Sequence, residues 1–179
     1  MERVRLRFEN IQQIVGSDDL SVILLTDDSR ERALSVICDG PMSSQLLMRL
    51  QSPGRCKQML PEVLIQLLPG EYEMMIYGVY EGQYQVVLED KAHERFVRMR
   101  MSDAVLLNII SHIPLYIEET LMRQQCIPFD ENAKGVAIPI NTMDSKRLSI
   151  ALERAVSEEN YELASQLRDE LKRRKQKEE

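Results

Sequence analysis

Apolar and polar residues alternate along the first part of the chain with the two-residue period of β-strands. Val4, Leu6 and Phe8 alternate with charged residues, which predicts a half-buried strand. The apolar run at residues 20–25 lies between acidic turn residues and predicts a second strand. Residues 32–38 have the composition of its hairpin partner.

The pattern changes to a helical period after the Asp-Gly-Pro sequence at residues 39–41. Apolar positions that recur at helical spacing predict a helix, and one of its faces carries Met42, Leu46, Leu47 and Leu50. A second helix is predicted over residues 61–68, where a proline is tolerated in the first turn.

Strand periodicity returns in residues 73–80 and 83–90. The two residues between these segments, Glu81 and Gly82, predict a tight hairpin turn in which the glycine adopts a positive φ. Residues 94–100 predict the third strand of a meander.

A helix is then predicted from Ser102 to about His112, followed by a short strand at residues 115–117. Strand pairs joined by hairpins, with helices between them, predict an α+β fold with a mainly antiparallel sheet and packed helices.

The last 35 residues differ in composition from the rest of the chain. Residues 133–144 contain Gly, Pro and Asn without helical periodicity, and we interpret them as a linker. Residues 145–179 consist largely of helix formers and predict a helical hairpin with a polar turn at residues 157–160. The predicted organisation is a domain at residues 1–132, the linker, and this hairpin. Because so short a hairpin buries little surface, we expect its apolar seam to meet another surface.

Composition narrows the functional classes. The 179 residues carry a formal net charge of −6, which argues against binding nucleic acid through the overall field. Aromatic residues make up only 5% of the chain, which argues against a base-stacking platform. Three widely separated cysteines fit a reducing cytoplasm. Neither a secretory signal nor a membrane-spanning run is visible, so a cytoplasmic protein without membrane contact is expected.

Arg100, Ser102 and Asp103 lie together where the third meander strand meets a buried helix. In one interpretation Ser102 caps the helix, Asp103 complements the helix dipole, and Arg100 pairs with Asp103. In the other, the free amides of the helix bind a phosphate group with Arg100 as a second anchor, or Asp103 binds a divalent metal. Cys38 is a further candidate, as a nucleophile or as a small core residue.

Residues 4–129 resemble the bifunctional nuclease family of bacteria and plants, whose members are described as acting on both DNA and RNA. The segment RMSDAVLLNIISHIPLYIEETLM, residues 100–122, is similar to that family's Arg-x-Ser-Asp-Ala helix and the Pro-(Ile/Leu)-Tyr segment after it. The resemblance implies metal-assisted hydrolysis of DNA or RNA phosphodiesters, with Mg²⁺ or Mn²⁺ as cofactor. It implies Arg100, Ser102 and Asp103 as catalytic residues, with Arg100 and Ser102 binding the phosphate. Asp103, with Glu62 or Asp39, would hold the metal.

Two positions depart from the pattern of this family. Met42 stands where the family has a glutamate, and Pro61 stands where it has a histidine. Neither side chain can bind Mg²⁺ or act as a base. The alternative hypothesis is therefore an inactive or weakly active scaffold that binds a partner.

Residues 145–175 resemble the UVR motif, a helical hairpin found at the end of an excision-repair helicase subunit and in some protease adaptors. The segment YELASQLRDEL, residues 161–171, is close to the core of that motif. The resemblance implies binding to a protein partner or to a second copy in a homo-oligomer. The partner-binding residues that it implies are Tyr161, Ala164, Leu167, Arg168 and Leu171.

Overall fold

The computed structural model describes residues 2–14, 20–67, 70–131 and 140–178, with the side chains at 141 and 176–178 excepted. The strands are β1 Arg3–Gln13, β2 Leu20–Asp27, β3 Arg32–Asp39, β4 Tyr72–Tyr80, β5 Gln83–Asp90, β6 Arg95–Arg100, β7 Leu115–Glu118 and β8 Ile127–Pro128. The helices are α1 Gly40–Gln51, α2 Leu60–Gln66, α3 Met101–Ser111, α4 Glu119–Gln125, α5 Ser145–Ser157 and α6 Tyr161–Glu178.

The strands form one eight-stranded sheet in the order β6-β5-β4-β7-β1-β2-β3-β8. The pairs β1–β2, β2–β3, β1–β7, β3–β8 and β5–β6 are antiparallel, and β4–β7 is parallel. The predicted α+β fold with a mainly antiparallel sheet and a C-terminal helical hairpin is therefore confirmed. The parallel pair and the short strand β8 were not predicted.

Strands β2 and β3 form the centre of the core because both lie inside the sheet and carry apolar residues on both faces. Seven of the eight residues of β2 are buried, and Ile23, Ala33 and Leu34 have no exposed surface. This burial explains why residues 22–25 of β2 are all apolar and do not alternate with polar residues.

Helix α1 begins at an Asp cap. The Asp39 carboxylate accepts a hydrogen bond of 2.8 Å from the Met42 amide. The buried residues of this helix are Ser43, Leu46 and Arg49, whereas Leu47 and Leu50 are exposed. The apolar face predicted from the sequence is thus only partly buried, because Leu46 lies in the core whereas Leu47 and Leu50 are exposed.

The chain forms two compact units. The first consists of Met1–Gly78 and Gln85–Ala137, and the second consists of Val79–Tyr84 and Ile138–Glu179. Residues 133–139 of the predicted linker, residue 132 before it and position 68 of the predicted second helix lie outside the described residues. The second unit thus combines the C-terminal hairpin with the tip of the β4–β5 hairpin, which the sequence did not indicate.

The turn between β4 and β5 touches the segment before α5 within the second unit. Glu81 and Gly82 both have positive φ, at 49° and 79°, as a tight two-residue hairpin turn requires. A Cβ atom on Gly82 would lie 2.7 Å from the carbonyl carbon of Met143. Glycine is therefore required here both by the conformation of the turn and by its close approach to Met143.

Helices α5 and α6 pack against each other around a small core of Leu148, Ala155, Ala164 and Leu167. Ile140 and Met143, from the segment before α5, pack against the same core together with Ala151, Leu152 and Leu171. The segment before α5 therefore contributes to the hairpin core. In the described part of the chain, no helix combines the length and apolar character that crossing a membrane requires.

Candidate functional site

The hinge between β6 and α3 carries the predicted catalytic group. Arg100 donates two hydrogen bonds to Asp103, from Nε to Oδ2 at 2.6 Å and from Nη2 to Oδ1 at 3.0 Å. The Arg100 side chain is 70% exposed and that of Asp103 is 33% exposed, so the hinge is open to solvent. The pairing follows from the three-residue spacing on the first turn of a helix. It occupies the guanidinium edge that a phosphate group would use.

Ser102 is not the N-cap residue of α3, although the sequence predicted that it would be. Helix α3 begins at Met101, its N-cap residue is Arg100, and no side chain makes a capping hydrogen bond there. Ser102 is therefore the second residue of the helix, half-buried beside the ion pair. The helix instead has Asp103 in its first turn, where a negative charge is favoured by the helix dipole.

Asp39 lies close enough to Arg100 for its charge to act on the guanidinium. The hydrogen bond from Arg100 to Asp103, the charge of Asp103 and, more weakly, that of Asp39 raise the pKa of Arg100 above its ordinary value. Helix α1, which follows Asp39, contacts α3, which follows Arg100. The fold therefore brings Asp39, Arg100 and Asp103 into one region.

Glu62 is held by a different partner. Its carboxylate accepts hydrogen bonds from Arg49 at 2.6 and 3.0 Å, and the Arg49 side chain is 3% exposed. Among the described residues, no group of three or more His, Cys, Asp or Glu side chains is placed to hold a metal ion. Because Asp39 caps a helix and both Glu62 and Asp103 bind arginines, the three carboxylates do not fit the divalent cation that the resemblance implies.

Cys38 is a core residue in this structure. It is 4% exposed, and burial, together with the charge of Asp39, raises the pKa of its thiol to about 11. A thiol with such a pKa stays protonated at neutral pH, so Cys38 is not an activated nucleophile.

The predicted partner-binding residues of the hairpin divide into two groups. Ala164 and Leu167 are 8% and 1% exposed because they fill the core between α5 and α6. Leu171 packs against that core as well. Tyr161 is 69% exposed, and the Arg168 side chain is also largely exposed. Of the five residues, only Tyr161 and Arg168 offer substantial surface to a partner.

Other apolar residues on the same helices are exposed. We call Ile150, Val156, Tyr161 and Leu163 the hairpin surface; these side chains are 57%, 53%, 69% and 37% exposed. Val156 and Tyr161 lie on either side of the turn between α5 and α6. Sequence reasoning missed Ile150, Val156 and Leu163, although all three fall outside the apolar stripes that form the hairpin core. Their position outside the stripes was the sequence signal that these apolar side chains are exposed.

Two arginines of the basic run near the end of α6 are paired with a carboxylate. Arg174 is 8% exposed and donates a hydrogen bond of 2.9 Å to Glu170. Arg173 binds the same carboxylate through two hydrogen bonds of 2.8 Å. Burial acts to raise the pKa of Glu170, but these hydrogen bonds outweigh it and hold the pKa below its ordinary value. The run is therefore only partly available as a positive surface for nucleic acid.

Comparison with protein families identifies a UVR (UvrB/uvrC) motif at residues 146–177. The match covers almost all of α5 and α6 and confirms the predicted UVR motif. It indicates a role in interaction with protein or DNA. Comparison of the sequence with curated proteins gives no significant match.

Proposed function

We propose that this protein is a binding module whose UVR hairpin docks a protein partner through the hairpin surface. The observation that carries the proposal is that the core between α5 and α6 is already filled, yet four large apolar side chains on these two helices remain exposed. Large apolar side chains that stay exposed are candidates for contact with a partner, and two of the four, Val156 and Tyr161, flank the same turn.

The side chains of the hairpin surface favour a protein, and not DNA, as the binding partner. Aromatic and aliphatic side chains form the anchors of protein interfaces, whereas a DNA interface requires several cations free to reach phosphates. The most exposed arginines of the two helices are engaged with neighbouring carboxylates: Arg154 with Glu158 at 2.8 Å, Arg168 with Asp169 at 3.3 Å and Arg173 with Glu170 at 2.8 Å.

Placing a photoreactive phenylalanine at Tyr161 of the full chain tests the proposal directly. Irradiation in an extract of the producing cells should cross-link a protein to this position. The same group at Phe96, which is 64% exposed in the other compact unit, is the matched control. Cross-linking to nucleic acid alone, or equal cross-linking of the same protein at both positions, contradicts the proposal.

A nuclease-family phosphodiesterase is the second candidate. It is favoured by the resemblance of residues 4–129 and by one observation, the exposure of the hinge that carries Arg100, Ser102 and Asp103. For a phosphate to bind, Arg100 would have to exchange Asp103 for the phosphate oxygens. The described carboxylates do not supply a metal site, so their contribution to such a reaction is limited to the orientation of Arg100.

Incubation of purified protein with labelled single-stranded DNA and RNA, in Mg²⁺ and in Mn²⁺, tests the second candidate. Activity that copurifies with the wild-type protein and is lost in Arg100→Ala would support a nuclease. An intact substrate, or activity that Arg100→Ala retains, rejects this candidate and leaves the binding module untouched.

A further inference from the structure

Helix α2 exposes its whole apolar stripe. Leu60, Val63, Leu64 and Leu67 recur at the spacing of one helical face, and these side chains are 69%, 39%, 49% and 68% exposed. None of the seven residues of α2, all of which are described, is buried. An amphipathic helix normally turns such a stripe toward a core, so this stripe lacks the cover that its pattern requires.

The Arg49–Glu62 ion pair links α2 to α1, and α1 exposes two further apolar side chains. Leu47 and Leu50 are 36% and 43% exposed, and Arg49 of the same helix binds Glu62 of α2. We call the six exposed side chains the α1–α2 surface; they are Leu47, Leu50, Leu60, Val63, Leu64 and Leu67. A seven-residue helix is marginal alone and depends on packing for its stability, so a partner on this surface would stabilise α2 itself.

The charges at this surface favour association between identical surfaces. Arg49 and Glu62 neutralise each other, so neither presents an unpaired charge to a second copy. An interface about a two-fold axis brings the same patch together from both subunits, and a neutral aliphatic patch is complementary to itself. The nearby cations, Arg55 and Lys57, lie in the segment that connects the helices and are exposed.

The area reaches the lower limit of a specific dimer interface. From their exposed fractions, the six side chains present on the order of 500 Å² of apolar area, which is at the upper end of what single-chain proteins expose. Two such surfaces together bury about 1,000 Å², the minimum of a specific interface before any polar rim is counted.

We infer that the α1–α2 surface is the interface of a homodimer, formed by two copies of this chain about a two-fold axis. The interface consists of residues of α1 and α2, whereas the hairpin surface consists of residues of α5 and α6. Each dimer then presents two UVR hairpins, and a partner that is itself dimeric or repetitive gains in apparent affinity from binding both.

Sedimentation equilibrium of the full chain between about 1 and 100 μM tests the inference. The wild-type protein should have the mass of a dimer in this range. The double variant Leu60→Gln with Leu64→Gln keeps good helix formers in α2, and its dissociation constant should rise about a hundredfold or more. Circular dichroism establishes that this variant remains folded.

The matched control is Val156→Gln with Tyr161→Gln, which changes the hairpin surface by the same chemistry and should leave the dimer intact. Salt provides a second measurement on the wild-type protein. An apolar interface flanked by the like charges of Arg55 and Lys57 should not weaken when NaCl is raised from 0.1 to 1 M. An interface held by pairs of opposite charge would weaken over the same range.

A wild-type monomer at 100 μM overturns the inference. The inference is also overturned if the Leu60/Leu64 variant remains a dimer, or if only the Val156/Tyr161 variant becomes a monomer. The last result would assign self-association to the hairpin surface, and binding of another protein to the α1–α2 surface of a monomer would assign that surface to a different partner.

Discussion

Arg49 and Glu62 form an ion pair that joins α1 to α2, with hydrogen bonds of 2.6 Å from Nε to Oε1 and 3.0 Å from Nη2 to Oε2. The arginine is buried although it lies on a helix that starts at the protein surface. The carboxylate that sequence reasoning assigned to a metal is therefore the counterion of a buried cation.

Loss of that counterion should destabilise the fold. In Glu62→Gln, the Arg49 guanidinium stays buried without a compensating charge, and the free energy of unfolding should fall by about 3 kcal/mol. Urea denaturation at pH 7 measures the change. Glu158→Gln, which removes the exposed partner of Arg154, is the control and should leave the free energy of unfolding unchanged. An equal effect of the two variants would contradict a structural role for Glu62.

Asp27 should make the stability of the fold sensitive to acid. Burial acts to raise the pKa of Asp27, but hydrogen bonds from the side chain and amide of Arg32 and from the amide of Glu31 outweigh it, so the pKa is lowered. A carboxylate with a lowered pKa stabilises the native state above about pH 4, and this contribution is lost as the pH falls through its folded-state pKa.

Asp27→Asn should therefore lower the free energy of unfolding by about 2 kcal/mol at pH 7, and its difference from the wild type should shrink as the pH falls below about 4. Urea denaturation at a series of pH values measures this difference. Asp28→Asn changes the neighbouring, largely exposed carboxylate and should alter the free energy of unfolding at pH 7 by less than about 1 kcal/mol. A constant difference between Asp27→Asn and the wild type at all pH values would refute the assignment.

Gly82 should be intolerant of any side chain. A Cβ atom at this position would overlap the Met143 backbone, and the φ of 79° is unfavourable for alanine, so Gly82→Ala should cost about 2 kcal/mol or more. Gly78→Ala is the matched control, because no atom lies within 4 Å of a Cβ built on Gly78. Thermal denaturation of both variants measures the difference. Equal melting temperatures would show that the turn does not approach Met143 in solution.

Tyr84 should tolerate loss of its hydroxyl group. The residue is 5% exposed, its Oη has no hydrogen-bond partner among the described residues, and burial raises the pKa of the phenol. A buried hydroxyl without a partner costs free energy, so Tyr84→Phe should stabilise the protein by about 1 kcal/mol. Urea denaturation provides the measurement. Destabilisation by this substitution would reveal a hydrogen bond to the Tyr84 hydroxyl in solution.

Local patterns in the sequence predicted most of the secondary structure. The predicted strands at residues 73–80 and 83–90 differ from β4 and β5 by at most one residue, because alternation and the Glu81-Gly82 turn are both local signals. The parallel pairing of β4 with β7 was not predictable, because it depends on contacts between segments about 40 residues apart in sequence.

Periodicity also failed to indicate which apolar faces are buried. It predicted an apolar face on α1, but it did not distinguish Leu46, which is buried, from Leu47 and Leu50, which are exposed. Arg49 of α1 is buried because it pairs with Glu62 of α2, which lies 13 residues away in the sequence. The pairing of Arg100 with Asp103 was predictable because it lies within one helical turn, whereas the partner of Glu62 was not.

The central claim is that the hairpin surface binds a protein, and affinity capture with three matched forms of the full chain tests it most directly. Wild-type protein, the Val156→Gln/Tyr161→Gln variant and the Leu60→Gln/Leu64→Gln variant are immobilised at equal density and exposed to the same cell extract. The bound proteins are then quantified by mass spectrometry. We predict a protein that the wild type and the Leu60/Leu64 variant retain and that the Val156/Tyr161 variant loses at least tenfold. Equal capture by all three forms would contradict the claim.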